Sequence, residues 1–186
     1  MARKMYIEDS RPRALGVFET LVQIAVICVL GLFLDRYFFF SLTTYSKSME
    51  PEIQPESVVF INRAGYVLTE PERFDVVAFS RTDIPDEDIL VRRIIGLPGE
   101  TVRIYRGQVF INGKMLDVSD HISEITSDGI AEKGIRLKED EYFVLGDTPA
   151  NSEDSRSSTV GAVKRNRILG CAWIAFRSIT EFNLIR

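Results

Sequence analysis

The chain divides into an apolar N-terminal stretch and a longer part in which short apolar runs alternate with turn residues. Residues 20–34, TLVQIAVICVLGLFL, carry no formal charge, and the apolar character resumes after Asp35 and Arg36 in YFFFSL. From Glu56 onward the apolar runs are short and rich in Val, Ile, Phe and Tyr. This pattern predicts one long N-terminal helix followed by a domain that is mainly β.

The apolar run predicts a transmembrane signal anchor over residues 14–42. A bilayer core needs about 20 mostly apolar residues, and Glu19 and Arg36 can extend the charge-free part because their side chains reach the headgroups. Aromatic residues 37–40 are typical of a membrane interface. A cleaved signal peptide would be followed by small residues, and a buried helix of a soluble protein would carry a polar stripe. The run has neither feature.

The charges before this run predict its orientation. The positive-inside rule places residues 1–13 in the cytoplasm and residues 43–186 on the extracytoplasmic side. The protein would therefore lie in the cell membrane as a single-pass protein. The polar stretch 117–138 reads as an insertion in the β-rich part. The basic residues that precede the run are Arg3, Lys4, Arg11 and Arg13.

The part after the anchor predicts an antiparallel β-sheet domain. Arg106-Gly107 and Asn112-Gly113 are two-residue turn signals, and together they predict a three-stranded meander. Gly, Pro, Asn and Asp separate the other runs, as in antiparallel folds. The predicted strands are SVVFIN, DVVAF, ILVRRIIG, TVRIY, QVFIN, EYFVLG and ILGCAWIAF.

Composition excludes several function classes. The 186 residues have a net charge of −4 and contain no basic block, so nucleic acid is not an expected partner. Cys28 and Cys171 lie in different kinds of segment and lack metal-ligand spacing, so neither a disulfide between them nor a metal site is expected. His121, the only histidine, lies in a polar run and is interpreted as a surface residue. No cofactor is implied.

Three motifs carry candidate chemistry, and they occur in a fixed order behind the apolar run. They are SKSMEP at residues 46–51, VRRIIGLPGE at residues 91–100 and VLGDTPANSEDSR at residues 144–156, with FDVVAF between the first two. Together they resemble the motifs of type I signal peptidase, the membrane-bound serine protease that removes signal peptides from exported proteins. The resemblance runs from about residue 14 to about residue 175.

The resemblance implies a role for each matching residue. Ser48 would be the nucleophile, and Ser46 would offer its hydroxyl to the oxyanion beside the Ser48 backbone N–H. Ser152 would hydrogen-bond the general base. Two ion pairs would hold the strands that carry the site, namely Asp147 with Arg93 and Asp154 with Arg156.

The general-base position departs from the family pattern. The bacterial family has a lysine there, whose pKa is lowered by burial so that its neutral amine accepts the serine proton. This chain has Arg92, and an arginine remains charged and offers no lone pair. Another branch of the family uses histidine, but His121 does not match that position. Thr148 is a milder departure, because the family usually has asparagine there.

Arg92 is compatible with three interpretations. In the first, the chain is a homologue that binds export substrates without cleaving them. In the second, another lysine such as Lys47 or Lys164 reaches the site. In the third, Arg92 is an introduced substitution. Lys47 is poorly aimed if Ser48 faces the cleft, because neighbouring side chains on an extended strand point to opposite faces. Arg92 could also pair with an acidic neighbour and so fill the lysine pocket.

The resemblance also implies the partners. They are signal-peptide-bearing preproteins and the lipid bilayer. The peptide would add as a strand beside the site and place small side chains in shallow apolar pockets. Residues next to the motifs that could line these pockets are Met49, Ile53, Leu90 and Val91.

Two other function classes compete with an endopeptidase. A membrane-anchored binding or assembly factor on the same fold is favoured by Arg92 alone. A self-cleaving repressor with a serine and a lysine would also have a related β fold, but the anchor and the Gly-Leu-Pro-Gly turn argue against it.

Overall fold

A computed structural model describes residues 13–82, 84, 87–178 and 181–185. Contacts divide the chain into a first unit that ends at Tyr37 and a second unit, Phe38–Arg186. The first unit is represented by one helix, and the second contains all the strands.

Helix α1, Arg13–Phe38, accounts for the described part of the first unit. Its large apolar side chains from Val17 to Leu32 are exposed around the helix, and the Thr20 hydroxyl donates to the Gly16 carbonyl at 2.9 Å. Among the described residues, no helix is both long enough and apolar enough to cross a membrane.

The second unit is mainly β, as predicted, and its strands pair antiparallel. Its described residues also form one short helix, α2 (Gly65–Leu68), and three 3₁₀ turns at Gly129–Lys133, Pro149–Asn151 and Arg165–Arg167. The strands are β1 (Phe39–Thr44), β2 (Ser57–Asn62), β3 (Val76–Ser80), β4 (Ile89–Gly96), β5 (Thr101–Tyr105), β6 (Gln108–Ile111), β7 (Lys114–Leu116), β8 (Ile135–Arg136), β9 (Glu141–Leu145), β10 (Val163–Lys164), β11 (Ile168–Ser178) and β12 (Glu181–Leu184).

The strands form two sheets. The larger sheet has the order β1-β2-β11-β3-β4-β9-β10, with β12 paired to β11, and the smaller sheet has the order β7-β6-β5-β8. The predicted meander is confirmed as β5-β6-β7. Its turn residues Arg106, Gly107, Asn112 and Gly113 all have positive φ, which a two-residue turn of this kind requires.

Strand β4 contributes to the core on both of its faces. Val91 belongs to a cluster with Met49 and Ile53, whereas Ile94 packs with a second cluster around Val144. Side chains alternate along a strand, so one strand with a continuous apolar run can serve two layers. This double burial explains why ILVRRIIG shows no alternation of apolar and polar residues.

The polar stretch 117–138 is more ordered and more buried than its composition suggests. Ile122, Ile125, Ala131 and Leu137 from this stretch belong to the core cluster under the smaller sheet. His121 is partly exposed, in line with the expectation of a surface residue, and its ring also packs against Phe74 with the ring centroids 5.1 Å apart. Spaced apolar residues within a polar run are enough to anchor it.

Candidate active site

Ser48 lies just after β1, in a tight turn, and is almost fully buried. The Ser46 hydroxyl donates to Ser48 Oγ at 2.9 Å and accepts the Ser48 backbone N–H at 3.2 Å. Ser46 itself is exposed. The two donors predicted for an oxyanion, the Ser46 hydroxyl and the Ser48 N–H, therefore lie side by side. In this state the hydroxyl donates to Ser48 Oγ and the N–H donates to the Ser46 oxygen.

Hydrogen bonds to the third motif hold the serine turn in place. The Thr148 N–H donates to the Ser48 carbonyl at 2.9 Å, and the Thr148 hydroxyl donates to the Glu50 carbonyl at 2.8 Å. Within the turn, the Ile53 N–H donates to the Met49 carbonyl at 2.7 Å. Thr148 thus fixes the serine turn through both its backbone and its side chain.

Gly146 lies at the point where the motifs meet. A Cβ at this position would lie 2.3 Å from Ser152 Oγ and 2.7 Å from the Ser48 carbonyl oxygen. Only a residue without a side chain lets these two groups approach the strand end so closely. Gly146 was missed as a site residue, although it stands next to Asp147 in the third motif.

Arg92 faces the same region. Arg93 of β4 pairs with Leu145 of β9, and the continuation of this antiparallel register brings Arg92 opposite Gly146. Residues directly opposite each other in an antiparallel pair point to the same face. The Arg92 side chain therefore leaves the sheet on the side where Ser152 and the Ser48 carbonyl lie.

The Arg92 side chain is buried, but its partners are carbonyl groups. Its Nε donates to the Glu153 carbonyl at 2.9 Å and Nη1 donates to the Val91 carbonyl at 2.6 Å. No carboxylate of the described residues forms an ion pair with it. The expectation that Arg92 pairs with an acidic neighbour is therefore wrong. Burial lowers the pKa of Arg92 to about 10, so the group stays cationic at neutral pH.

The first predicted ion pair is present and fully buried. Arg93 binds Asp147 through Nε at 2.9 Å and Nη2 at 2.7 Å, and it also donates to the Phe74 carbonyl at 2.9 Å. Burial raises the pKa of Asp147, and the Arg93 guanidinium opposes that rise. The Ser123 N–H and hydroxyl both donate to the Asp147 carbonyl, at 2.8 and 3.0 Å. The stretch 117–138 therefore supports the third motif directly.

The second predicted ion pair stiffens the other end of the third motif. Arg156 binds Asp154 through Nε and Nη2, both at 2.9 Å, and also donates to the carbonyls of Ser127 and Pro149. The second Asp154 oxygen accepts the Gly146 N–H at 3.2 Å. Both ion pairs thus position the backbone around Gly146.

Ser152 has no partner for its hydroxyl. Its Oγ is buried and makes no hydrogen bond in the described structure. It borders a surface pocket of ≈ 280 Å³ that is also lined by Thr126, Ser127 and Arg156. An unpaired buried hydroxyl is unusual, and Ser152 Oγ is therefore available to a further hydrogen-bonding group.

The other candidate bases do not hydrogen-bond Ser48. Lys47 is exposed, and Lys164 is exposed on β10 opposite Glu141. His121 packs on Phe74 and lies near enough to Asp147 to influence its pKa. Within the described part of the chain, Ser46 provides the one side chain hydrogen-bonded to Ser48 Oγ.

The four predicted pocket residues do not stay together. Met49, Ile53 and Val91 share one core cluster, but Leu90 packs on the opposite face with the cluster that contains Val77. Neighbouring residues on a strand point to opposite faces, so Leu90 and Val91 cannot line one pocket. Met49, Ile53 and Val91 are also nearly fully buried, which leaves little of their surface for a ligand in this state.

Comparison with known proteins identifies the family of this chain. The family model described as signal peptidase, peptidase S26 matches residues 17–176. The chain belongs to this family.

Relatives of this peptidase family come from several bacteria. The chain is 38% identical to the probable signal peptidase I-2 of Synechocystis sp. over 75% of its own length and 64% of the relative's, so the match omits about a third of that protein. It is 29% identical to signal peptidase I S of Bacillus subtilis over 89% of its length and 92% of the relative's. A signal peptidase I crystal structure from Enterococcus faecalis matches 56% of this chain and 97% of that chain, at 30% identity and a TM-score of 0.43.

Proposed function

We propose that this chain removes signal peptides from exported preproteins as a serine endopeptidase, with Ser48 as its nucleophile. The observation that carries the proposal is the pairing of Ser46 with Ser48. Ser48 Oγ accepts a hydrogen bond and keeps its own proton available for transfer, and the two donors beside it suit a developing negative charge.

The reaction would follow the usual course of serine acyl transfer. Ser48 Oγ attacks the scissile carbonyl carbon, and the carbonyl oxygen becomes an oxyanion that the Ser46 hydroxyl and the Ser48 N–H stabilise. Solvent water takes the proton that Ser48 Oγ loses on attack. When the C–N bond of the tetrahedral intermediate breaks, the amine of the mature protein leaves and takes up a proton from solvent in turn. Water then hydrolyses the acyl ester and frees Ser48 and the signal peptide.

Proton transfer from Ser48 is the slow part of this reaction. Arg92 is cationic at neutral pH and cannot accept the Ser48 proton. A positioned general base contributes about 10²–10⁴-fold to a rate. We therefore propose a slow peptidase in which Arg92 occupies the place of the base.

We also propose that the chain is anchored in the membrane with its catalytic unit extracytoplasmic. The charge-free run 20–34 and the exposed apolar side chains of α1 support the anchor. In the second unit, Phe60, Ile174 and Leu184 are directly opposed on three neighbouring strands, and Phe60 and Leu184 are half exposed. Such an apolar row suits contact with a bilayer.

The proposal is tested by cleavage of a signal-peptide-bearing precursor in detergent. We expect slow cleavage by the unmodified protein, none above background by Ser48→Ala, and cleavage about 10²–10⁴-fold faster by Arg92→Lys, because lysine supplies a neutral amine. Lys47→Ala and Lys164→Ala serve as controls and should match the unmodified protein. Equal cleavage by Ser48→Ala and the unmodified protein would refute the assignment of the nucleophile.

Arg92 also favours a second function, that of a membrane-anchored binding factor. Arg92 places a cation where the base would stand. Among the described residues, no lysine or histidine hydrogen-bonds Ser48. Both features suit the recognition of export substrates without cleavage. In the same experiment this function predicts no cleavage by the unmodified protein and rapid cleavage by Arg92→Lys.

A further inference from the structure

The buried charges around the candidate site do not balance. Among the described residues, Arg92, Arg93 and Arg156 are buried here together with only two aspartates, Asp147 and Asp154. Arg93 and Arg156 each hold one aspartate with two hydrogen bonds. Arg92 is the surplus cation.

Nearby acidic groups do not remove this surplus. Glu153 is exposed, and its carboxylate is bound by Arg81 and by the Thr159 hydroxyl. Arg92 donates to the backbone carbonyl of Glu153 and to that of Val91, and its hydrogen bond to Glu153 does not involve the carboxylate. The surrounding carboxylates keep Arg92 charged from a distance, because each of them raises its pKa. A buried cation normally has an ionic partner, so Arg92 is suited to bind an anion.

Hydroxyl groups lie on the same side of the sheet as this cation. The register places Arg92 opposite Gly146, and Ser152 Oγ and the Ser48 carbonyl oxygen flank the Cβ position of Gly146 at 2.3 and 2.7 Å. Ser152 Oγ has no hydrogen-bond partner although it is buried. A hydroxyl without a hydrogen-bond partner, on the same side of the sheet as a guanidinium without an ion-pair partner, is a donor set that suits a carboxylate.

A strand edge leads to this position. In the described part of the chain, β1 is the terminal strand of the larger sheet, and it pairs only with β2. It runs from Phe39 to Thr44, two residues before Ser46. An extended peptide that adds to this edge parallel to β1 would bring its C-terminus to the serine turn.

We propose that Arg92 and the Ser152 hydroxyl bind the C-terminal carboxylate of an extended peptide, such as the signal peptide that cleavage would release. The identity of the peptide rests on the proposed function, because a signal peptide is the product of that reaction. It does not require that this chain perform the cleavage, because Ser48 takes no part in the binding.

The test compares two forms of one labelled peptide ending in Ala-Gln-Ala, a free carboxylate and a C-terminal amide, by fluorescence anisotropy with the full-length protein in detergent. We expect the carboxylate to bind at least about tenfold more tightly, because a hydrogen bond to a buried charge is stronger than one between neutral groups. The preference should persist between about pH 6 and pH 8, since Arg92 is charged throughout that range. Equal binding of the two peptides, or binding of neither, would overturn the proposal.

Variants assign the preference to residues. Arg92→Gln should bind both peptides equally, and Ser152→Ala should reduce the preference several-fold while leaving the thermal unfolding midpoint unchanged, since its hydroxyl makes no hydrogen bond. The exposed Ser158 provides the matched control, and Ser158→Ala should keep the full preference. A preference that persists in Arg92→Gln would overturn the assignment to Arg92. If Arg92→Gln does not fold, the proposal is still tested by the comparison of the two peptides and by the Ser152→Ala variant.

Two further measurements complete the test. One distinguishes the binding of a peptide from the binding of any small carboxylate, and the other distinguishes binding from cleavage. Acetate at the concentration of the peptide should not displace it, and equal competition would overturn the assignment to a peptide. The cleavage experiment supplies the second measurement. Cleavage without a carboxylate preference would overturn only this inference, whereas a carboxylate preference without cleavage would overturn only the proposed endopeptidase.

Discussion

At the scale of single residues, the site depends on close approach around one glycine. Ser48 and Ser152 come from different motifs, and both reach the strand end at Gly146. Thr148 and Asp154 hold the two sides of this position through hydrogen bonds to the serine turn and to the Gly146 N–H. The side chains of the third motif thus act mainly by holding backbone groups in position around Gly146.

We expect Gly146→Ala to destabilise the protein by about 1–3 kcal/mol, the usual effect of adding a methyl group to a packed site. The new Cβ would lie 2.3 Å from Ser152 Oγ and 2.7 Å from the Ser48 carbonyl oxygen, so one of them must move. Urea unfolding measures the change. Gly65→Ala is the control, because its Cβ would have no neighbour closer than 3.5 Å. Similar losses in both variants would contradict the close approach at Gly146.

At the scale of elements, β4 separates two adjacent arginines. Alternation sends Arg92 to the side of Ser152 and Arg93 to the side of Asp147. The stretch 117–138 is a second organising element, because Ser123 supports the Asp147 carbonyl and Asp128 accepts the N–H groups of the Arg106-Gly107 turn. This polar stretch therefore joins the small sheet to the candidate site.

We expect Gly107→Ala to be more destabilising than Gly113→Ala, although both glycines have positive φ. Each change should cost about 1 kcal/mol for the left-handed conformation. The Cβ of Gly107 would also lie 2.7 Å from the Ile125 carbonyl oxygen, whereas Gly113 has nothing within 4 Å. The difference in free energy of unfolding between the two variants measures the contact with stretch 117–138. Equal effects would mean that this stretch does not pack on the turn.

At the scale of the whole molecule, the two units have opposite relations to solvent. The large apolar residues of α1 are exposed, whereas the second unit encloses its apolar residues in three clusters. Most helices in proteins are stabilised by the packing of an apolar face, and α1 exposes apolar side chains on all its faces. The proposed membrane anchor gives α1 the apolar surroundings that its sequence requires.

We expect Val26→Arg to weaken membrane association more than Phe18→Arg. A charge near the middle of a membrane helix costs about 2.5–3.5 kcal/mol on insertion scales, whereas an arginine near the end can reach the headgroups. Flotation of the full chain with phospholipid vesicles measures the bound fraction. If both variants float like the unmodified chain, α1 is not the anchor.

Local features of the fold were predictable from the sequence because they depend on neighbouring residues. Two-residue turns with glycine need only their own backbone angles, so the β5-β6-β7 meander was predicted correctly. The mainly β architecture followed from short apolar runs between turn residues. The ordered motifs likewise indicated the family that the comparison confirmed for residues 17–176.

Features that depend on residues far apart in the chain were decided only by the tertiary structure. Leu90 was grouped with the wrong residues, because the face of β4 on which it lies decides its surroundings. The packing of His121 on Phe74 was not predicted, because that contact is not encoded locally. The sequence shows an arginine at position 92, but its charge surplus exists only because two other arginines take the two buried aspartates. The sequence by itself thus determined which residues are available, and the long-range pairing of strands decided which of them meet.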